Sequence, residues 1–223
     1  MVNTMNDNQL RSFVERLAQT RATPNTYNQY AYGIPFNDIR RINLLLYLRQ
    51  IAERKSSLML VMEAPGYRGS RLTGIPVTSR KLLLEGVPAL EMLGRQRGYQ
   101  DIPEPKFAHI QGEQSATIVW QTLADIGQTP LIWSSFPFHP HLVEQPLTNR
   151  KPLRSEVLLG RTFLQEMLEM FTPQHIIAVG NVGDSTLSEM GIPHTKVRHP
   201  AQGGKNDFVA GVKQLYTTFN GTP

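Results

Sequence analysis

The 223-residue chain contains no cysteine, which excludes disulfides, thiolate zinc sites, cysteine-ligated iron–sulfur clusters and cysteine nucleophiles together. Charged residues are sparse at 18% and aromatic residues make up 8%, while 40% of the chain is hydrophobic. That balance is opposite to the highly charged, apolar-poor composition of a disordered chain. No apolar run approaches the roughly 20 residues that span a bilayer. The start, Met1 to Asp7, lacks the basic and apolar stretches of a secretory signal, so a cytoplasmic protein is expected. Lys and Arg number 23 against 18 Asp and Glu, a net charge of +5 that leans mildly towards an anionic partner such as nucleic acid. The length fits one compact domain over residues 1–223, with residues 1–57 as N-terminal helices packed on the remainder, and a monomer is expected.

Leu10, Phe13, Val14 and Leu17 recur at helical spacing, as do the apolar residues of the segment 38–48. Between these helices Thr23-Pro24-Asn25 and Tyr32-Gly33-Ile34-Pro35 read as turns, and Asn37 or Asp38 is the expected cap of the second helix. From Leu58 onward, short apolar runs alternate with loops and helical segments. Four strands are predicted, over 58–62, 131–135, 175–179 and 194–198. Helices are predicted over 79–84, 114–126, 156–171, 186–190 and 207–219. Near-continuous apolar strands separated by helices indicate a parallel sheet covered on both faces, a three-layer α/β/α sandwich. Ligands of such sheets bind beyond the carboxyl ends of the strands, so the residues after each strand are the informative ones.

After the first strand, the segment 62–79 holds three glycines and two prolines, a stiff loop whose main chain can approach a flat ligand, or else an ordinary strand-to-helix connection. Ser134 ends the second strand before the aromatic, proline-rich Phe136-Pro137-Phe138-His139-Pro140-His141. With Glu144, that histidine pair admits a metal-hydrolase reading, although two ligands separated by proline are few for zinc and the loop's aromatics suit packing equally well. Asn149-Arg150-Lys151-Pro152-Leu153-Arg154 is a basic stretch suited to a DNA backbone or to a solvated loop. Gly180-Asn181-Val182-Gly183-Asp184-Ser185 offers main-chain N–H groups to a phosphate, or a plain turn capped by Asp184 or Ser185, and it lacks the lysine of a nucleotide-binding P-loop. Finally, Pro200 holds His199 extended at the sheet's ligand edge, flanked by Arg198 and Gly203-Gly204-Lys205.

Taken in order, Glu63-Ala64-Pro65-Gly66, Gly74-Ile75-Pro76 and His199-Pro200 resemble the motifs of the uracil-DNA glycosylase superfamily, in the branch with a Gly-Glu-Ala-Pro-Gly first motif. The likeness runs from about Leu58 to the last helix. It implies a central four-stranded parallel sheet that binds DNA at its strand ends and flips a damaged base into a pocket. By that resemblance Glu63 and His199 are catalytic, the segment Glu63 to Gly66 holding the attacking water through Glu63 or through main chain, and His199 bonding the carbonyl oxygen of the leaving base. Met62, Ala64, Pro65, Gly66, Val77 and Ser134 would line the base pocket, Gly180 and Asn181 would contact a DNA phosphate beside the lesion, and Arg198, Gln202 and Lys205 would bind DNA on or near the loop that enters the duplex when the base leaves. The activity implied is a monofunctional DNA glycosylase of base excision repair, free of cofactors and metal, acting on uracil, hypoxanthine or xanthine. Without cysteine, the chain cannot carry the iron–sulfur cluster of some relatives.

The chain also departs from the family pattern. Met62 stands where the first motif has Gly, and Ala64 where some branches have a water-activating Asp. Val77 replaces a stacking Phe, Ser134 replaces an Asn that reads uracil, and Ala201 replaces a phosphate-contacting Ser. Asn presents a donor and an acceptor to one base edge, which the shorter serine hydroxyl cannot span. Two outcomes follow from these replacements: an altered base preference, or a DNA-binding member that has lost catalysis. Tyr67 and Phe136 are the aromatic candidates to replace the missing ring.

Overall fold

The computed structural model describes residues 7–219, so Met1 to Asn6, read above for signal features, lie outside the described residues. The elements run α1 (Asp7–Gln19), β1 (Thr26–Tyr27), α2 (Asn37–Arg54), β2 (Leu58–Met62), α3 (Ser70–Thr73), α4 (Arg80–Glu85), α5 (Gln114–Asp125), β3 (Leu131–Ser134), β4 (His139–Pro140), α6 (Arg154–Phe171), β5 (His175–Val179), α7 (Gly180–Glu189), β6 (Thr195–Val197) and α8 (Lys205–Phe219). The helical spacing in α1 buries Leu10, Phe13, Val14 and Leu17 against Leu44, Tyr47, Leu48 and Ile51 of α2 in the shared core. Each such side chain contributes roughly 1.5–3 kcal/mol when fully buried. Phe13 also meets Trp133 of β3 and Phe163 of α6 edge-on, with centroids 5.3 and 5.9 Å away, fastening the first helix to the sheet.

The sheet has the order β3-β2-β5-β6 and every pair is parallel, giving the α/β sandwich flanked by helices that the apolar runs indicate. All five residues of β2 are buried because it is an inner strand with covered faces. Chain order reverses direction between β2 and β5, and at this switch point the loops leaving the two strands diverge and open a crevice at their carboxyl ends.

The structure differs from the sequence expectations at particular ends. The second helix is preceded by Phe36 in left-handed backbone, φ 66°, and neither Asn37 nor Asp38 caps it. Asn37 is buried within the first turn, its amide donating to the carbonyls of Asn28 and Ala31 at 3.1 and 2.9 Å. Helix α7 starts at Gly180 rather than Thr186, so the anticipated caps lie inside it. Asp184 instead pairs with Lys196 at 2.9 Å and His194 at 3.2 Å, and Ser185 Oγ donates to the Asn181 carbonyl at 2.9 Å. The ribbon β1–β4 pairs only Thr26 with Pro140 and Tyr27 with His139, too short to leave an alternating pattern in the sequence.

Candidate active site

The carboxyl ends of the sheet strands open into a cleft of about 890 Å³. Its floor begins where β2 ends, at Met62 and Glu63. Main-chain hydrogen bonds hold this turn against the continuation of β3: Ser135 N–H donates to the Met62 carbonyl at 2.8 Å and Phe136 N–H to the Glu63 carbonyl at 3.1 Å. The next residues, Ala64, Pro65 and Gly66, line the cleft too. The Pro65 carbonyl accepts from His139 Nδ1–H at 2.8 Å, and Asn149 Oδ1 accepts from Tyr67 N–H at 3.0 Å. The stretch from Met62 to Tyr67 is therefore fixed at four main-chain points before any ligand binds. Burial pushes the Glu63 carboxyl above the usual carboxylate range, opposed by the Lys151 ammonium facing it.

His139 is fully buried, and burial lowers its imidazole to about 4 although the Pro65 carbonyl favours a charged ring. Its two-histidine loop thus serves the first motif: His139 holds Pro65, while His141 Nδ1 faces the Leu142 carbonyl at 2.9 Å. Among the described residues no group of three or more His, Cys, Asp or Glu is arranged to hold a metal ion. The buried neutral ring has a consequence for stability. The unfolded chain titrates this histidine near 6.5 and the folded chain near 4, so the unfolded state binds more protons between those values. Stability from this group is complete above pH 6.5 and falls as the solution is acidified towards pH 4, by about 3 kcal/mol in total. Urea titrations of wild type and His139→Gln across this range check it. Acid sensitivity equal in the two proteins would contradict the assignment.

At the opposite wall, β6 leads into His199. Ala201 N–H donates to His199 Nδ1 at 3.1 Å, so Nδ1 carries the lone pair and the proton of the neutral ring sits on Nε2. Burial pushes this imidazole below its ordinary value, with the Glu113 carboxylate acting in the opposite direction. Glu113 is itself held at the start of α5, accepting from the N–H groups of Ser115 and Ala116 at 3.1 and 2.6 Å. Helix α7 opens at Gly180, where φ is +81° and an added Cβ would stand 3.2 Å from the His199 Cβ. A glycine there satisfies both the backbone and the close approach of the histidine. One turn on, an added Cβ at Gly183 would stand 2.5 Å from the Val61 carbonyl oxygen, so α7 sits directly on β2 and brings its N-terminus to the switch point.

Val77 also lines the cleft, with φ +49°, an unusual backbone for a β-branched residue. Its N–H donates to Ser70 Oγ at 2.9 Å and its carbonyl accepts from Trp120 Nε1 at 2.8 Å. These two buried side chains hold a conformation that costs on the order of 1–3 kcal/mol. Ser134 is buried at the end of β3, in register with Met62, and lines the same cleft.

Of the residues singled out from sequence, Asn181, Arg198 and Gln202 also border the cleft, whereas Lys205 does not line it and opens α8 as an exposed residue. Arg198 reaches Asp207 at 3.4 Å and the Gln202 carbonyl at 3.3 Å. Of the two aromatic candidates, Phe136 is buried edge-on against Phe138 and Tyr67 is the ring that lines the cleft. Asn149, Arg150 and Lys151 of the basic stretch reach the cleft as well, although Arg150 is committed to Glu156 through two bonds of 2.7 Å. Sequence reasoning missed Glu113 and Ser115, which reach the cleft from the N-terminal end of α5 rather than from a strand end. No local signal marks them.

A family model described as the uracil DNA glycosylase superfamily matches residues 49–213, from within α2 to within α8. Among solved structures, one titled as the crystal structure of wild-type Pedobacter heparinus SMUG2 matches with a TM-score of 0.66 at 13% identity, covering 97% of this chain and 98% of that one. At that identity the likeness is one of fold. No curated protein sequence matches.

Proposed function

The chain belongs to the uracil DNA glycosylase superfamily, and from that premise we propose that it is a monofunctional DNA glycosylase that hydrolyses the N-glycosidic bond of a deaminated base held in the cleft. The observation that carries this reading is the convergence of Glu63 and His199 on one crevice at the switch point, with the proton of the neutral His199 ring on Nε2. In the proposed reaction the base is flipped out of the duplex. His199 Nε2–H donates to the base carbonyl oxygen on which negative charge grows as the bond to C1′ breaks. The bonding pair leaves with the base, the sugar becomes oxocarbenium-like, and a water held by Glu63 adds to C1′ and passes its proton to the Glu63 carboxylate, while the departing base anion takes a proton from solvent. Free base and an abasic site are the products.

Around this centre Ala64, Pro65, Gly66, Val77 and Ser134 would enclose the base. The N-terminus of α7 at Gly180 and Asn181, which has no side-chain cap, would receive a backbone phosphate through its first N–H groups, and Arg198, Gln202 and Lys205 would follow the backbone. A cytoplasmic, nucleoid-associated monomer needing no cofactor accords with this role. Val77 and Ser134 favour a second reading, a DNA-binding member with impaired catalysis, because neither can stack on a base or read two atoms of its edge.

Alkali-induced cleavage of single- and double-stranded oligonucleotides carrying uracil, hypoxanthine or xanthine separates the two. Product from at least one lesion establishes the glycosylase, and DNA binding without product at high enzyme establishes the silent binder. In the same assay Ser134→Asn is expected to raise uracil excision by an order of magnitude or more, since hydrogen-bonded recognition is strongly discriminating. Uracil excision no better than wild type would show that Ser134 does not face the base edge.

A further inference from the structure

Asn149 stands between two anchored residues of the segment that joins β4 to α6. Thr148 Oγ1 accepts from Leu142 N–H at 3.0 Å, and Arg150 binds Glu156 through two bonds of 2.7 Å. From this fixed position the Asn149 side chain reaches the first motif, where its Oδ1 accepts from Tyr67 N–H at 3.0 Å. A main-chain N–H can only donate, so this bond settles which end of the carboxamide is oxygen and which is nitrogen. The Nδ2 end lies 3.7 Å from the place where a Cβ on Gly66 would stand, and both residues line the cleft. Among the described residues none accepts a hydrogen bond from Nδ2. Asn149 thus brings to the cleft a carboxamide whose acceptor is already engaged and whose donors are open.

Deamination of a base replaces an exocyclic amino group, a donor, by a carbonyl, an acceptor. A hydroxyl such as that of Ser134 rotates to suit either partner and does not tell them apart. A carboxamide held through its oxygen offers donors alone. We propose that Asn149 Nδ2–H donates to the carbonyl oxygen that deamination creates on the flipped base, O4 of uracil or O6 of hypoxanthine, and so disfavours cytosine and adenine. An amino group in that place would set donor against donor once the base displaces water, and unpaired polar groups are what make hydrogen-bonded sites discriminating. The inference deepens the glycosylase reading, on which it rests for a base held in the cleft.

Two pairs of bases test it: uracil against 2-pyrimidinone, which lacks O4, and hypoxanthine against unsubstituted purine, which lacks O6. Wild type, Asn149→Ala and Asn149→Asp are compared in single-turnover excision and in equilibrium binding of duplexes whose 2′-fluoro sugar resists hydrolysis. The unequal lability of the glycosidic bonds cancels when each variant is divided by wild type on the same base. In at least one pair, Asn149→Ala is expected to lose roughly tenfold or more on the base that carries the oxygen and to stay within about twofold of wild type on the base that lacks it. Asn149→Asp still accepts from Tyr67 N–H, and it is expected to show the same selective loss because its second oxygen cannot donate. Equal losses on both members of each pair, the mark of a loosened first motif or a lost phosphate contact, overturn the proposal. Rates and affinities that neither variant changes overturn it as well. Where none of the three proteins excises any base, the glycosylase reading fails. A wild-type binding preference for the carbonyl base that both variants lack then upholds the role of Asn149, and the absence of that preference overturns it too.

Discussion

Replacing His199 by alanine is expected to lower excision by roughly a hundred- to a thousandfold, the usual cost of removing one donor aimed at developing negative charge. The fold should survive, because His199 borders the cleft and its one hydrogen bond, from Ala201 N–H, joins residues of a single turn. Single-turnover kinetics give the size of the effect and thermal melting gives the control. Turnover undiminished by the substitution would remove His199 from the mechanism. The direction of the pH dependence follows from the same bond. Protonating Nδ1 would set two N–H donors against each other at 3.1 Å, so the pre-arranged form is the neutral ring, which burial favours. Activity should therefore be held at neutral pH and decline on the acid side as the ring and the Glu63 carboxylate take up protons. His199→Gln, which keeps an N–H donor, should retain part of the rate and lose the histidine's share of the acid limb.

Glu104→Gln is expected to cost about 3–5 kcal/mol of folding stability, the penalty of leaving buried charge without its partner. Glu104 binds Arg40 Nη2 at 2.6 Å and Arg71 Nη1 at 2.9 and 3.1 Å, and both guanidinium groups are almost wholly shielded from water. Two cations thus share one carboxylate, and the Tyr27 ring lies against both. Arg40 belongs to α2 and also donates through Nε to the Leu72 carbonyl at 3.0 Å, while Arg71 and Leu72 belong to α3. The cluster therefore ties the N-terminal helices to the loop that carries the first motif into Val77. Urea unfolding measures the loss, and excision at a temperature where the variant stays folded should also fall as that loop loosens. A change below about 1 kcal/mol would mean that solvent already screens the pair.

How much of this was readable without coordinates depended on how local the cause was. Strands β2 and β5 have the bounds expected from sequence, because a strand covered on both faces is apolar where it is buried, along all of β2 and over Ile177 to Val179 of β5. The start of α7 was misplaced because glycine ordinarily signals a turn. Gly180 instead begins a helix at a spot where the neighbouring strand brings His199 within contact of any larger residue. Phe136 and Tyr67 looked alike as aromatic loop residues, and only the packing of Phe136 against Phe138 separates them. Glu113 could not be found from its neighbours in the chain, since its carboxylate reaches the cleft through the way α5 is set against the sheet.

The order of short apolar runs and the placing of Glu63-Ala64-Pro65-Gly66 and His199-Pro200 after strands carried the α/β class and the family, and pointed to the sheet edge as the candidate site. Periodicity and motif are local, so the chain carries them openly. The tautomer of His199, the strained backbone of Val77, the service of His139 to Pro65 and the shared carboxylate of Glu104 were decided only in three dimensions. Each depends on a hydrogen bond, a burial or a charge pairing set by how the chain packs, and those contacts have no spacing in the sequence from which they could be read.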